Sequence, residues 1–215
     1  MVKKRIYLVR HGVTEWNRQA RFQGRSDVPL SEEGRRQAGF VAQRFQGMGP
    51  FQVHTSPLAR AYETAVILCS LQPGVTPQVH GGLSEMCFGD WEGRVVGEIR
   101  TSDPEIYGQW RLDPFGSVPP GGETFSELYA RVRDVLDTIL ENDCPANVIV
   151  SHGGIVRVAL ATLLNLPPSA MWRMRIGNCS VSCVELSEEW GPSLVFLNDE
   201  LHVLTSGCKA LPFPS

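Results

Sequence analysis

The chain has 215 residues, which is long enough for one well-buried domain and short for two. Hydrophobic residues make up 42% of it and charged residues 20%, which are ordinary proportions for a soluble globular protein. The formal charge of -3 gives no general attraction to nucleic acid or to a membrane, so we expect neither as a partner. The first apolar run, Ile6 to Val9, is too short for a signal peptide or a membrane span. The six cysteines show no CxxC pair and no zinc-like spacing, which favours reduced thiols and a cytoplasmic protein.

Four segments predict β-strands. Residues 6–9 and 147–150 are short and mostly apolar, which is typical of strands that are buried on both faces of a sheet. Residues 179–186 and 194–197 predict two more strands towards the end of the sequence.

Helical patterns lie between these strands. Ser31 and Pro57 suit the start of a helix, and Thr124 with Glu127 resembles a capping box. The apolar residues that then share a helical face are Ala38, Val41, Ala42 and Phe45; Leu58, Ala61, Ala65 and Leu68; Leu128, Val132, Val135, Leu136 and Ile139; and, after Gly154, Ile155, Val158, Ala159 and Leu163. Strands that alternate with helices predict one α/β domain over residues 1–215, with a mostly parallel sheet between two layers of helices.

Two stretches, residues 83–95 and 102–122, break this alternation. They are rich in glycine, proline and aromatic residues, and their periodicity is weak. Long irregular segments in a compact domain are often binding loops, and ligands of this fold class gather at the carboxyl ends of the strands. We therefore expect loops at about residues 83–122 to form the walls of a substrate site.

A histidine follows each of the two most strand-like runs. His11 follows residues 6–10 and His152 follows residues 147–151, and each is succeeded by glycine. Glycine lets the backbone bend sharply and lets its N–H approach a ligand closely. A lone histidine is more often structural, but two in matching contexts indicate a shared site.

Two arginines could supply charge to such a site. A phosphoryl group carries about two negative charges at neutral pH, and arginine is the side chain best suited to bind it without a metal. Arg10 adjoins His11, and Arg60 lies early in a predicted helix, where free N–H groups also attract anions. Taken alone, Arg60 is better explained as a solvated charge on the helix surface.

Several ordered motifs resemble the histidine phosphatase superfamily, which is also called the phosphoglycerate mutase-like superfamily. The first is Arg10-His11-Gly12-Val13-Thr14-Glu15-Trp16-Asn17. The others are Arg21-Phe22-Gln23-Gly24; Pro29-Leu30-Ser31 with Gly34; Ser56-Pro57-Leu58-Ala59-Arg60-Ala61-Tyr62-Glu63-Thr64-Ala65; Leu83-Ser84-Glu85; Phe88-Gly89-Asp90-Trp91-Glu92-Gly93; Pro120-Gly121-Gly122-Glu123-Thr124; and Ser151-His152-Gly153-Gly154. Any one of them is weak, whereas their order along the chain makes coincidence very improbable. Val13 is a departure, because many members carry Glu at this variable position.

The resemblance implies a reaction that passes through phosphohistidine. His11 would be the nucleophile, with its other ring nitrogen donating to a backbone carbonyl. Glu85 would protonate the leaving oxygen and then deprotonate the water that hydrolyses the intermediate. The alternative for Glu85 is a salt bridge within its loop.

The resemblance also implies a phosphate pocket without a metal or other cofactor. Arg10, Arg60 and His152 would bind the phosphoryl oxygens and neutralise the charge of the transition state. The pocket would be completed by Asn17, Gln23, Gly24 and Gly153.

Members of this superfamily divide broadly into phosphatases and mutases. The mutases share adjacent arginines after the position of Glu85, whereas Arg94, Arg100 and Arg111 of this chain are not adjacent. The motifs over residues 88–93 and 120–123 resemble the bacterial phosphatase branch instead. We therefore predict a phosphomonoesterase for a small phosphorylated metabolite such as α-ribazole 5'-phosphate or phosphoserine. The alternatives are a cofactor-dependent phosphoglycerate mutase and, from another class, a non-catalytic domain that binds a phosphorylated ligand. We expect a monomer or a homodimer.

Overall fold

The computed structural model describes residues 3–49, 51–113 and 115–207, so both ends of the predicted domain lie outside the described residues. The strands are β1 (Lys3–Arg10), β2 (Gln52–Thr55), β3 (Pro77–Val79), β4 (Ala146–Ser151), β5 (Val181–Ser187) and β6 (Gly191–Asp199). In the described part of the chain they form one six-stranded sheet in the order β3-β2-β4-β1-β5-β6. The first four strands in this order are parallel, and β5 runs antiparallel to both β1 and β6. The predicted mostly parallel sheet is confirmed.

Helices cover both faces of the sheet. They are α1 (Glu15–Arg18), α2 (Glu32–Phe45), α3 (Ala59–Cys69), α4 (Val96–Ser102), α5 (Pro104–Leu112), α6 (Phe125–Leu140), α7 (Gly153–Leu163) and α8 (Leu201–Leu204). Side chains alternate along β1, so Ile6 and Leu8 pack with α6 and α7 while Val9 packs with α2 and α3. The two resulting cores give the predicted three-layer α/β architecture.

The predicted helix starts at Ser31 and Thr124 are confirmed. The Ser31 hydroxyl accepts a hydrogen bond from the backbone N–H of Gly34, and Thr124 and Glu127 form a reciprocal capping box. The prediction for Pro57 was too early by two residues. Helix α3 begins at Ala59 because Leu58 is still extended, at φ -66° and ψ 132°.

The prediction of loops at about residues 83–122 is partly wrong, because α4 and α5 lie within that span. Tyr107 and Trp110, which are one helical turn apart on α5, pack against the buried ring of Trp91 with centroid distances of 5.8 Å and 5.5 Å. This aromatic contact stabilises a helix whose sequence periodicity is weak, since tertiary packing overrides local propensity.

The turn after β1 depends on contact between two glycines. A methyl group added at Gly12 would lie 2.5 Å from the backbone oxygen of Gly34, in the first turn of α2. This contact brings α2 against the residues that follow His11, so the position of the histidine depends on the absence of a side chain at Gly12.

We expect Gly12→Ala to lower the free energy of unfolding by about 1–3 kcal/mol, because the new methyl group must push α2 away. Urea unfolding followed by circular dichroism would measure the change. The matched control is Gly39→Ala in the middle of α2, where an added methyl group meets nothing within 4 Å. This control should raise stability by up to about 1 kcal/mol, because alanine favours a helix. Equal effects at the two positions would contradict the proposed contact.

Candidate active site

The parallel pairing of β1 with β4 brings the two predicted histidines together. Arg10 pairs with Ser151 at the carboxyl ends of these strands, and each strand is followed directly by its histidine. The imidazole rings of His11 and His152 are buried, with centroids 5.2 Å apart. The matching sequence contexts of the two histidines therefore correspond to one shared site at the carboxyl ends of the central strands.

His11 has one ring nitrogen occupied and one free for chemistry. Its Nδ1 lies 2.7 Å from the backbone oxygen of Gly12, so Nδ1 carries the proton and donates it to this carbonyl. Burial lowers the pKa of His11 well below its usual value, and the charges of Arg60 and Arg10 lower it further. A neutral imidazole with this tautomer has its lone pair on Nε2, which is the form that a nucleophile needs.

Two buried guanidinium groups flank the histidines. Arg60 is fully buried, and its Nη1 and Nη2 donate to the backbone oxygens of Ser26 and Gly24 at 2.8 Å and 2.7 Å. Arg10 donates from Nη1 to the backbone oxygen of Ile176 at 2.8 Å. Burial lowers the pKa of each arginine to about 10, so both stay charged at neutral pH. Arg60 is therefore not the solvated surface charge that its sequence context alone allowed.

Three N–H groups of this cluster are buried without an acceptor among the described residues. They are the Nε of Arg10, the Nε of Arg60 and the Nδ1 of His152. The other nitrogen of His152, Nε2, lies 2.8 Å from the hydroxyl of Ser56, which can donate to it and leave the ring proton on Nδ1. Buried polar groups nearly always have a partner, so three orphaned donors beside His11 indicate an anion site.

The remaining residues predicted for a phosphate pocket lie around this cluster. The side-chain oxygens of Asn17 and Gln23 accept from the backbone N–H and the hydroxyl of Thr14 at 3.0 Å and 2.9 Å, which leaves their amide N–H groups as donors. Gly24 is tied to the site through its bond to Arg60. Gly153 begins α7, and a methyl group there would lie 3.5 Å from Arg10 Nε. The positive end of this helix therefore also faces the site.

Glu85 is held at the start of α7 by backbone donors. Its Oε2 accepts from the N–H of Gly154 at 3.2 Å, and its Oε1 accepts from the N–H of Met86 at 3.0 Å. A methyl group at Gly154 would lie 2.5 Å from Oε1, so only glycine lets the carboxylate approach this closely. No ion pair holds Glu85 among the described residues, and the predicted alternative of a loop salt bridge is not what the structure shows.

Arg131 of α6 positions the loop of Glu85 and was missed by sequence reasoning. It donates to the backbone oxygens of Gly82 and Ser84, both at 2.7 Å, and to that of Glu85 at 3.1 Å. Glu123 holds the same guanidinium through two bonds of 2.7 Å and 2.8 Å. Nothing in the helical pattern of α6 singles out Arg131, whereas Glu123 belongs to the Pro-Gly-Gly-Glu-Thr motif.

Asn178 is a second residue that the sequence did not indicate. Its side-chain nitrogen donates to the backbone oxygen of His11 at 3.0 Å, which joins the segment before β5 to the end of β1.

In the part of the chain that the structure describes, no group of three or more histidines, cysteines, aspartates or glutamates could hold a metal ion. Within the same part, none of the helices has the length and apolar character needed to cross a membrane.

Known proteins are similar to this chain in sequence and in fold. The model of the histidine phosphatase superfamily (branch 1) matches residues 6–200. A protein named probable phosphoglycerate mutase GpmB from Yersinia enterocolitica is 40% identical over 191 residues, which cover 85% of each chain. The alpha-ribazole phosphatase of Shigella flexneri has a TM-score of 0.82 at 29% identity, over 91% of this chain and 96% of that one. A mutant phosphoserine phosphatase of Entamoeba histolytica, solved with phosphoserine, has a TM-score of 0.80 at 26% identity, over 93% and 99%.

An α/β domain with paired histidines and buried arginines at the carboxyl ends of its central strands fits a phosphate-handling enzyme of the type that the resemblance predicted. The chain belongs to the histidine phosphatase superfamily, branch 1. This family acts on small phosphorylated substrates, and its phosphatase structures support the predicted class of phosphoric monoester hydrolase.

The buried histidines should make stability depend on pH. Burial is the largest cause that lowers the pKa of both His11 and His152, so the folded protein keeps them neutral. Unfolded histidine has a pKa of about 6.5, and below this pH only the unfolded chain takes up the protons. Stability should therefore fall as the pH falls below about 6.5, by up to about 1.4 kcal/mol per pH unit for each histidine.

Urea unfolding between pH 7 and pH 5 tests this expectation. His11→Gln removes one titrating group, so its stability should fall less steeply with decreasing pH than that of the wild type. His80→Gln is the comparison, because His80 is only partly buried and lies outside the site. Burial lowers the pKa of His80 less than that of His11, so His80→Gln should change the slope less. An unchanged slope in His11→Gln would show that His11 is not held neutral.

Proposed function

We propose that this chain is a phosphomonoesterase that transfers the phosphoryl group of a small metabolite first to His11 and then to water. The observation that carries the proposal is the set of three buried, orphaned N–H groups of Arg10, Arg60 and His152 beside the neutral ring of His11. Three oxygens of a phosphoryl group match three donors, and the free Nε2 matches an attack on phosphorus.

In the first step, Nε2 of His11 forms a bond to phosphorus while the bond from phosphorus to the ester oxygen breaks. Arg10, Arg60 and His152 stabilise the charge that spreads over the three phosphoryl oxygens. Glu85 gives its proton to the leaving ester oxygen, so the product departs as an alcohol. Asn17, Gln23 and the backbone N–H groups of Gly24 and Gly153 complete the phosphate pocket.

In the second step, water attacks the phosphorus of phosphohistidine, and Glu85 takes the proton that the water loses. The bond to Nε2 breaks, which returns neutral His11 and releases inorganic phosphate. One carboxylate serves both steps because the acid of the first step is left ionised for the second. No step draws on a metal or another cofactor.

The relatives support two kinds of substrate. The names of the structural neighbours favour α-ribazole 5'-phosphate or phosphoserine, whereas the name of the Yersinia relative favours a phosphoglycerate mutase as the second candidate. An assay on 3-phosphoglycerate with 2,3-bisphosphoglycerate separates them. A phosphatase releases inorganic phosphate, whereas a mutase forms 2-phosphoglycerate with little release.

We further propose a cytoplasmic enzyme that acts as a monomer or a homodimer on small metabolites, with neither nucleic acid nor a membrane as partner. The five cysteines in the described part of the chain are all free thiols, which suits a reducing compartment.

Replacement of the nucleophile gives the most direct test. His11→Ala should lower phosphate release by more than about 1,000-fold, because the covalent route is lost. Wild-type protein quenched with base during turnover should carry phosphate that is stable to base and labile to acid, and His11→Ala should carry none.

His80→Ala is the matched control, because it removes a partly buried histidine outside the site and should keep full activity. Thermal unfolding would show that both variants are folded. Retention of substantial activity by His11→Ala would exclude this mechanism. Binding of phosphate without turnover by the wild type would favour a non-catalytic domain.

Replacement of Glu85 by Gln removes the proton but nearly keeps the shape of the side chain. For an alkyl phosphate, single-turnover transfer to His11 should slow by about 100- to 10,000-fold, because the poor leaving group needs the proton. For p-nitrophenyl phosphate the transfer should slow far less. Hydrolysis of phosphohistidine still lacks its base, so a burst of nitrophenol should precede slow turnover.

Glu105→Gln is the control for Glu85→Gln, because it removes one exposed carboxylate from α5 and should leave both substrates unaffected. Equal losses for the two substrates in Glu85→Gln would show that another group protonates the leaving oxygen, and His152 would be the first to test.

A further inference from the structure

A third arginine lies beside the site and has no part in the mechanism above. Arg157 is one helical turn after Gly154 on α7, so it projects from the same face of the helix that receives the Glu85 carboxylate. Its side chain is partly buried. The general acid and this arginine therefore share one side of the candidate active site.

The contacts of Arg157 fix the direction of its guanidinium. The Nε donates to the backbone oxygen of Met174 at 2.9 Å, and the group lies 5.9 Å from the centre of the Trp172 ring. Arg10 binds the same segment two residues later, at the backbone oxygen of Ile176. The segment from Met174 to Ile176 thus holds one phosphate-binding arginine and Arg157 side by side.

The two remaining nitrogens of Arg157, Nη1 and Nη2, have no acceptor among the residues that the structure describes. Glu85 forms no ion pair with Arg157 in the described part of the chain, although its charge raises the pKa of Arg157. Burial lowers the pKa of Arg157, and the charge of Arg157 is the second largest cause that lowers the pKa of Arg10. Glu85 and Glu200 raise the pKa of Arg10, and Glu85 raises that of Arg157, so these carboxylates offset part of the positive charge of the two arginines.

We propose that Arg157 binds a carboxylate on the leaving group of the substrate, so that the enzyme selects small phosphomonoesters that carry a carboxylate. This inference rests on the proposed phosphatase function, which places the ester oxygen at Glu85 and hence the leaving group beside Arg157. The planar fork of arginine matches the two oxygens of a carboxylate, and the free Nη1 and Nη2 are the donors for it.

The test compares two pairs of substrates that differ at one group. The first pair is 3-phosphoglycerate and glycerol 3-phosphate, in which a carboxylate replaces a hydroxymethyl group. The second pair is phosphoserine and phosphoethanolamine, which differ by the carboxylate alone. We expect the wild type to show a kcat/KM about 10- to 100-fold higher for the carboxylate member of at least one pair, as a bond to a charged group provides.

Arg157→Gln should reduce kcat/KM for the carboxylate member by about 10- to 100-fold and leave its partner nearly unchanged. Arg157→Lys keeps the charge and should retain part of the preference, which a purely structural role in binding Met174 would not produce. Arg173→Gln is the matched control, because it removes an exposed arginine from the same segment and should not alter the preference.

The outcomes separate this inference from the proposed function. Hydrolysis of both members at equal rates, or equal losses for both in Arg157→Gln, would overturn the role of Arg157 and leave the phosphatase intact. A strong preference for α-ribazole 5'-phosphate, which has no carboxylate, would overturn it in the same way. Failure of the wild type to release phosphate from any phosphomonoester would overturn the proposed function itself.

Discussion

The concentration of positive charge at the carboxyl ends of β1 and β4 is the constraint on which the rest of the structure depends. A buried guanidinium is costly unless its N–H groups find acceptors, and no carboxylate forms an ion pair with Arg10 or Arg60 in the described part of the chain. Backbone oxygens of Gly24, Ser26 and Ile176 take that role. These neutral acceptors hold the arginines in place without cancelling their charge, which stays available to an anion.

Backbone oxygens can hold a guanidinium in place only if the loops that carry them are rigid. Two side chains outside the pocket, Glu92 and Arg131, provide that rigidity through hydrogen bonds to loop backbone. The Glu92 carboxylate accepts from the backbone N–H groups of Arg25, Ser26 and Phe88 and from the Ser26 hydroxyl, at 2.8–3.0 Å. This fixes the carbonyls that hold Arg60. Arg131 fixes the loop of Glu85 in the same manner, with the charges reversed. Charge-assisted bonds to backbone groups are among the stronger ones in proteins.

The sequence allowed prediction of those features that a local pattern expresses. The buried runs of β1 and β4, the capped start of α6 and the repeated histidine–glycine context all depend on neighbouring residues. Strands β2 and β3 were missed because each is short and mixes polar with apolar residues, although His54 and Thr55 are buried. Arg131 and Arg157 were missed for another reason. Their roles come from contacts with loops that are distant in sequence, and a helix-surface arginine looks the same with or without such contacts.

The charge balance of the site links Arg157 to the catalytic cycle. In the proposed mechanism a phosphate dianion would compensate Arg10 and Arg60. The charge of Glu85 acts on all three arginines, and for Arg157 it is the carboxylate charge that raises the pKa. In that mechanism Glu85 would carry a proton to act as the general acid, and in that form it would no longer compensate Arg157. A carboxylate on the substrate would restore the balance at the moment when Glu85 is neutral. The substrate carboxylate would depart with the product after Glu85 has given up its proton, and the Glu85 carboxylate would then compensate the charge of Arg157. Binding of the leaving group and the proton state of the acid would thus be coupled through one arginine.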